Sequence, residues 1–525
     1  MIYRMYRQIN DGLDLGFYIE TIDQLSEPEL KQIQWLIAET FEPGNTGIEP
    51  HITASEAVEI GPRLSIETPF SSNAVSICQA MGLRQIIRIE RTHRYAVGND
   101  RSADILKTRL DRMTEQHYPN GIESFDTGTT PEDVRVIDLA GRGKTALEEM
   151  NNALGLGMDA QDLEYYQHLF VEVLRRNPTD VELFQLGNAN SEHSRHWYFK
   201  GQLVIDGTPM QETLFEIVQR PLKSLGSDNC SLVAFKDNAG VIKGFGTRLI
   251  LPVTPGKPSE MRILDKVVHI TCTAETHNHP TFVAPFPGAQ TGSGGRIRDN
   301  SAVGRGGIVG IGVAGYFVGN LFIPGYQIPG EVVGKDKPSK YASPLSILIE
   351  GSNGVSSYGN QFGEPLTMGF TRTFGQTVGS EWREPRKPIL YSGGVGHLFD
   401  GHTAKEKSEV GMLIVRIGGP AYPIGVGGGS ASSMMQGQNT ESLDFNSVQR
   451  GNAEMENRAN RVIRACVEMG DSNPISSIHD QGAGGPSNVL TELLEPLGGK
   501  IGIRGIVLGD KTMSVLEIWS AEFQE

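Results

Sequence analysis

The chain has 525 residues, 38% of them hydrophobic and 21% charged, a balance typical of folded globular domains, and its length suggests three or four folding units. A formal net charge of −15 argues against a broad nucleic-acid surface, which needs a basic stripe, and no run of about 18 apolar residues or apolar leader after Arg4 and Arg7 points to a membrane or to export. Cys78, Cys230, Cys272 and Cys466 lie far apart with no CxxC pair, so neither a disulfide framework nor a zinc ribbon is indicated and a reducing cytoplasm fits best.

From Gly16 to about Val97 the pattern predicts strand, helix, strand, helix, strand: Gly16 to Glu20, a helix from Glu27, Arg63 to Glu67, a helix near Ala74, and Gln85 to Ile89. Ser26-Glu27-Pro28-Glu29 is a capping box with Pro just inside the helix start. This front part reads as a small α+β unit.

Between Thr130 and about Gly187 the chain reads as helical. Asp159 caps a run from Ala160 to Arg176, Asn177-Pro178 stops it, and Thr179-Asp180-Val181-Glu182 is a second capping box. Gly143-Lys144-Thr145 mimics the end of a phosphate-binding P-loop, but Asp138 stands where the first Gly belongs, so Lys144 reads as a solvated linker charge.

After Ser191 comes a long α/β region with predicted strands at Ile263 to Ala274, Pro344 to Glu350 and Gly411 to Ile417, and a helix at Ala453 to Met469 that carries Cys466 as core. Pro/Gly-rich stretches at 323–340 and 419–429 suggest connections or a subdomain boundary near Gly419. Ser514 to Ala521 has the character of a buried strand; ending there would expose a sheet edge, so the chain reads as cut short.

The 64 glycines, about twelve in a hundred against ~7 on average, crowd the region after Gly288. In Gly288-Ala289-Gln290-Thr291-Gly292-Ser293-Gly294-Gly295-Arg296-Ile297-Arg298-Asp299, glycines would let successive N–H groups turn to a phosphate, the arginines could grip its oxygens, and Asp299 could hold magnesium. The bland alternative is a Gly-rich surface turn. The segment does not complete GxGxxG, because Ile297 occupies the last place.

Upstream, Glu275-Thr276-His277-Asn278-His279-Pro280 ends a β-branched strand, where α/β proteins place ligand groups and where a His can act as base. If the strand period continued, Glu275, His277 and His279 would share a face, which also suits zinc; structural histidines are the plain alternative. Asn190-Ser191-Glu192-His193-Ser194-Arg195-His196-Trp197 puts His193 and His196 at i, i+3, on one side of a helix, or simply at a polar helix end.

Taken in order, these three segments resemble the signature of the large formylglycinamide ribonucleotide amidotransferases. Looser likeness continues through Asn360 to Pro365, Ile424 to Ser430, Val448 to Gly451, His479 to Gly485 and Glu517 to Trp519. The resemblance implies a ferredoxin-like N-terminal domain (1–128), a helical linker (129–190), an aminoimidazole-ribonucleotide-synthetase-like N-terminal α/β domain (191–418) and part of its C-terminal α/β domain (419–525), an α+β and α/β multidomain chain.

Family members use ATP and magnesium to activate the amide of formylglycinamide ribonucleotide as a phosphorylated intermediate, which ammonia, from glutamine, displaces to give the amidine, a C–N ligase step in purine synthesis. Carried over by motif, His193 and His277 would be catalytic. Thr276, Asn278, His279, Arg298, Gln449, Glu522 and Gln524 would meet substrate, Gly288 to Asp299 and His196 would meet nucleotide, and Glu275, Asp299 and Asp480 would hold metal. Thr273 and Ser194 depart from many relatives, which carry Lys and Cys there. No glutaminase or second synthetase half has a counterpart, so a separate glutaminase, the missing half or a second copy is an implied partner. The alternative is a structural subunit that holds nucleotide without turning it over.

Overall fold

The computed structural model describes residues 1–97, 102–191, 199–332, 341–433 and 440–523. In the first of two compact units, Met1–Asp133 with Val507–Ser514, β1 (Ile2–Asn10) and β2 (Leu13–Thr21) form a hairpin with Ile2 opposite Glu20. With β3 (Thr46–Gly47), β4 (Ala57–Pro62), β5 (Ile86–Ala96) and β6 (Glu115–His117) they build a sheet of order β3-β1-β2-β5-β4-β6. Helices α1 (Glu27–Ile37) and α2 (Pro69–Ala80) supply Ile33 and Cys78 to a core with Met5, Phe17, Ile19 and Ile89. The capping box at Ser26 and Glu29 is formed as read.

The strand expected at Arg63 to Glu67 lies earlier, at Ala57–Pro62. The reason is Glu59, which looks like an outward residue but is 6% exposed: Tyr18 and Thr92 hydroxyls each donate to it at 2.6 Å and Arg94 Nε donates at 3.2 Å. A buried charge with this many partners satisfies its desolvation locally and breaks the alternation from which strands are read.

The second unit is Val134–Ile506 with the segment that starts at Val515. Its linker helices are α3 (Ala160–His168), capped by Asp159 and continued by a wider π turn over Leu169–Val173, and α4 (Asp180–Ala189), with the Thr179 and Glu182 capping box as read. Leu147, Leu163, Phe170, Leu183 and Phe184 form their core, and Val426 and Leu516 pack against it.

The second sheet contains β7 (Ser231–Val233), β8 (Gly240–Pro252), β9 (Met261–Thr276), β10 (Ile308–Val318), β11 (Leu366–Thr373) and β12 (Ile389–Phe399), in the order β11-β10-β12-β9-β8-β7. Only β10 and β11 run parallel. After β9 the chain enters the short α5 (Asn278–Val283) and then α6 (Pro285–Ser301); α6 and α7 (Pro344–Phe362) cover one face through Ala289, Ala314, Tyr316, Val355 and Leu390. The C-terminal part carries α8 (Ala453–Glu468).

Three further sequence expectations give way here. Pro344 to Glu350 opens α7 rather than a strand: Ser343 caps it by accepting from Ser346 N at 3.2 Å, and Pro344 follows at the first helical position. Gly411 to Ile417 forms no strand and leaves Leu413 88% exposed. Ser514 to Ala521 is not an edge strand but contains a helix, Val515–Ser520, that buries Ile518 and Trp519. Short apolar runs fit strand and buried helix equally well, and tertiary contacts decide between them.

Candidate functional site

Strand β9 ends at Thr276, and His277 is the N-cap of α5. The period-2 relation between Glu275, His277 and His279 is therefore broken, and the zinc arrangement does not form. Asn278 Oδ1 accepts from Leu390 N at 3.0 Å, pinning the turn to β12. His279 Nε2 lies 3.3 Å from Asp444 Oδ1, and Asp444 also accepts the Tyr341 hydroxyl.

The Gly-rich segment is neither a phosphate loop nor a surface turn. It forms most of α6, and all but Gln290 and Asp299 of Gly288 to Asp299 are buried. Inside a helix the N–H groups serve the carbonyls four residues back, so they cannot cradle a phosphate. The glycines act in packing instead: a Cβ on Gly288 would stand 2.4 Å from the carbonyl carbon of Pro280, so only glycine lets α6 lie against α5.

Side chains on α6 reach out to several elements. Thr291 Oγ1 lies 3.4 Å from the Gln449 carbonyl. Gln449 donates to Glu522 Oε2, and Gly484 N donates to Glu522 Oε1 at 3.0 Å; burial pushes Glu522 up to about 7. Arg296, 1% exposed, is committed to Glu364, with Nη1 donating to Oε1 at 2.5 Å and Nη2 donating to Oε2. Its role here is a buried tie to the start of β11.

Two residues on, Arg298 Nε is 3.6 Å from Asp480 Oδ2. Asn238 Nδ2 donates to Asp480 Oδ1 at 2.5 Å and to Asp299 Oδ1 at 3.3 Å. Burial raises the carboxyls of Glu275, Asp299 and Asp480, and Asp480 adds charge repulsion at the other two. Arg298, Glu456, His479 and Asp480 line one cavity of about 300 Å³ together with apolar side chains such as Ile463, Val489 and Leu490.

The structure thus gathers Glu275, Asp299, Arg298 and Asp480, joins Gln449 to Glu522, and ties both groups to one helix. His193, His196 and Gln524 lie outside the described residues. The preceding Asn188, at the end of α4, accepts from Ser430 N and Oγ at 3.3 Å each. Sequence reading missed Asn238, Glu456 and Asp444; the only local signal for Asn238 was a polar pair, Asp237-Asn238, just before β8.

Three family models match parts of the chain: formylglycinamide ribonucleotide amidotransferase N-terminal at residues 14–124, the linker domain of the same protein at 147–196, and the C-terminal domain of AIR synthase related protein at 409–525. Curated relatives named phosphoribosylformylglycinamidine synthase align along almost the whole chain. The identity is 48% with the probable chloroplastic/mitochondrial protein of Arabidopsis thaliana, over 97% of this chain and 37% of that protein. It is 49% with that of Dictyostelium discoideum (96% and 38%) and 47% with that of Homo sapiens (95% and 38%).

The chain belongs to the formylglycinamide ribonucleotide amidotransferase family. It spans well under half the length of these amidotransferase relatives. A solved structure titled "T. maritima PurL complexed with FGAR" aligns at 21% identity with a TM-score of 0.44, over 69% of this chain and 47% of that one, a likeness too slight to carry a conclusion.

For the magnesium implied by the amidotransferase family, the donor chemistry fits. Glu275, Asp299 and Asp480 offer hard carboxylate oxygens whose charges already repel, the situation a cation relieves. Among the described residues no three His, Cys, Asp or Glu side chains lie close enough to hold an ion by themselves. Such a centre suits magnesium, which keeps waters and shares phosphate oxygens with one or two carboxylates, better than a metal that needs an all-protein cage.

Proposed function

We propose that this chain carries a synthetase site for the ATP-dependent conversion of formylglycinamide ribonucleotide to the amidine, a C–N ligase reaction of purine synthesis. The carrying observation is the convergence on α6 of the β9 end, the Asp299 and Asp480 carboxylates with Arg298 between helix and loop, and the Gln449 and Glu522 pair. In this reading Arg298 grips a phosphate, its charge held in place by Asp480. Among Glu275, Asp299 and Asp480, one or two carboxylates at a time would share magnesium with phosphate oxygens, and the ion would supply charge neutralisation for ATP.

His277, at the turn from strand to helix, is placed to move a proton at the substrate amide, with Thr276, Asn278 and His279 around it. His193 as a second catalytic histidine and His196 as a nucleotide contact keep the roles that the family motif implies, and the side chains of α6 line the nucleotide. Thr291, Ser293 and Asp299, rather than backbone amides, are the groups α6 offers. Ammonia comes from a glutaminase on another polypeptide or a longer form of the chain, and a second synthetase half or a second copy completes the assembly. The four cysteines are free, which suits a reducing compartment such as the cytoplasm.

The test is ADP release with ATP, magnesium, formylglycinamide ribonucleotide and ammonium chloride, run beside nucleotide extraction from the purified chain. Substrate-dependent turnover upholds the reading. Retained nucleotide with no turnover, even after the partner polypeptides are supplied, replaces it with a structural nucleotide-holding role.

A further inference from the structure

Asp299 sits near the C-terminal end of α6 and Asp480 in the loop between α8 and the helix Pro486–Leu494, two elements far apart in sequence. Both are acids whose ordinary tendency is to separate. What joins them is one side chain: Asn238 Nδ2 donates to Asp480 Oδ1 at 2.5 Å and to Asp299 Oδ1 at 3.3 Å. An amide nitrogen carries two N–H donors, so it can serve two carboxylates at once without adding charge.

The carrier of that amide is itself fixed. The neighbouring Asp237 pairs through Oδ1 with Lys405 Nζ at 2.7 Å and accepts through Oδ2 from Gly304 N at 2.9 Å, just past the end of α6. Asp237 Oδ1 also accepts from Asn238 N at 2.9 Å, and β8 starts two residues later at Gly240, paired with Cys272 of β9. Lys405 lies 3.4 Å from His479 Nε2, beside Asp480. The polar turn before β8 is therefore anchored on both sides of the two carboxylates.

We propose that Asn238 is a positioning residue of this acidic centre: its amide holds Asp299 and Asp480 at the spacing from which they share a magnesium ion with phosphate. The magnesium part rests on the family reading above; the tie itself does not. Groups that orient metal-binding carboxylates typically change metal affinity by about 10–100-fold when removed. A carboxylate at 238 would have the same shape but no donors, and would add a third charge between the two.

The experiment uses the full chain and two readouts. In the first, without divalent cations, Tm is measured for N238A, D480A and the double variant. The expected result is that the two losses are not additive, because each removes the same contact; additive losses overturn the tie. In the second, Mn²⁺ binding in the presence of ADP is followed by electron paramagnetic resonance. N238A is expected to weaken Mn²⁺ about tenfold or more, and affinity equal to the parent overturns the positioning role.

N238D guards against misfolding as an explanation. It should lose more Tm than N238A without cation and regain more on adding Mn²⁺; the reverse order counts against the proposal. A parent chain that binds no Mn²⁺ with ADP overturns the magnesium reading of the site, while a non-additive Tm cycle in the same samples still upholds the Asn238 tie.

Discussion

A Cβ added to Gly292 of α6 would stand 3.1 Å from the Cβ and 3.4 Å from the Cγ of His277. The helix passes directly beneath the imidazole, and the glycine leaves the space in which the ring sits. Gly292→Ala gains about 0.5–1 kcal/mol of helix propensity but overpacks at a cost of about 1–3 kcal/mol, since Leu390 Cδ2 is also only 3.0 Å away. A net loss of about 1 kcal/mol in urea unfolding is expected, with displaced His277 ring resonances. Unchanged resonances together with a gain in stability would show that the ring has room to spare. Gly288→Ala should be far worse, because the atoms it meets, Pro280 C and Thr281 N at 2.4 and 2.5 Å, are backbone and cannot rotate aside.

Arg296 and Glu364 are both buried and bond to each other through two contacts. Removing one partner leaves an uncompensated interior charge. Arg296→Met or Glu364→Leu alone should cost about 3–5 kcal/mol, whereas the double change to Met and Leu should recover most of it. Urea midpoints of the four proteins give the answer; single variants within about 0.5 kcal/mol of the parent would show that the pair is relaxed by water.

Glu456 on α8 is buried, accepts the Tyr358 hydroxyl, and has its carboxyl pushed up to about 7 by burial, with Arg298 opposing the rise. The unfolded chain titrates near ~4.3. Between these values the native state keeps a proton that the unfolded chain has lost, so stability is fully present below about pH 4.3 and falls as pH rises toward 7, by about 4 kcal/mol at most. Glu456→Gln should flatten this slope. Stability curves taken at roughly pH 5 and pH 8 test it, and a variant whose slope matches the parent's assigns the dependence to other groups.

Asn188 Oδ1 accepts from both Ser430 N and Ser430 Oγ, and its own amide donates to Phe184 O at 3.2 Å. Asn188→Ala strands a buried N–H and should cost about 1–3 kcal/mol. It should also loosen the Gly-rich segment from Gly425 into the helix that holds Ser430, seen as earlier cleavage there in limited proteolysis. Asn188→Asp keeps the acceptor and should behave closer to the parent.

The sequence by itself determined the helix starts at Glu27, Ala160 and Asp180, because a capping side chain satisfies the N–H groups of its own first turn and needs nothing distant. It also marked Glu275, Asp299, Asp480, Gln449 and Glu522 through motif likeness, without saying how they meet. Tertiary structure alone decided that Gly288 to Asp299 is a buried helix: glycine has poor helix propensity, and only the close approach of α5, α7 and β12 makes small side chains the better fit. The same holds for β4 with its buried Glu59, for the helices at Pro344 and Val515, for Arg296 turned from ligand candidate to internal tie, and for Asn238 between two acids. In each case the deciding energy comes from partners far along the chain, which local pattern cannot register.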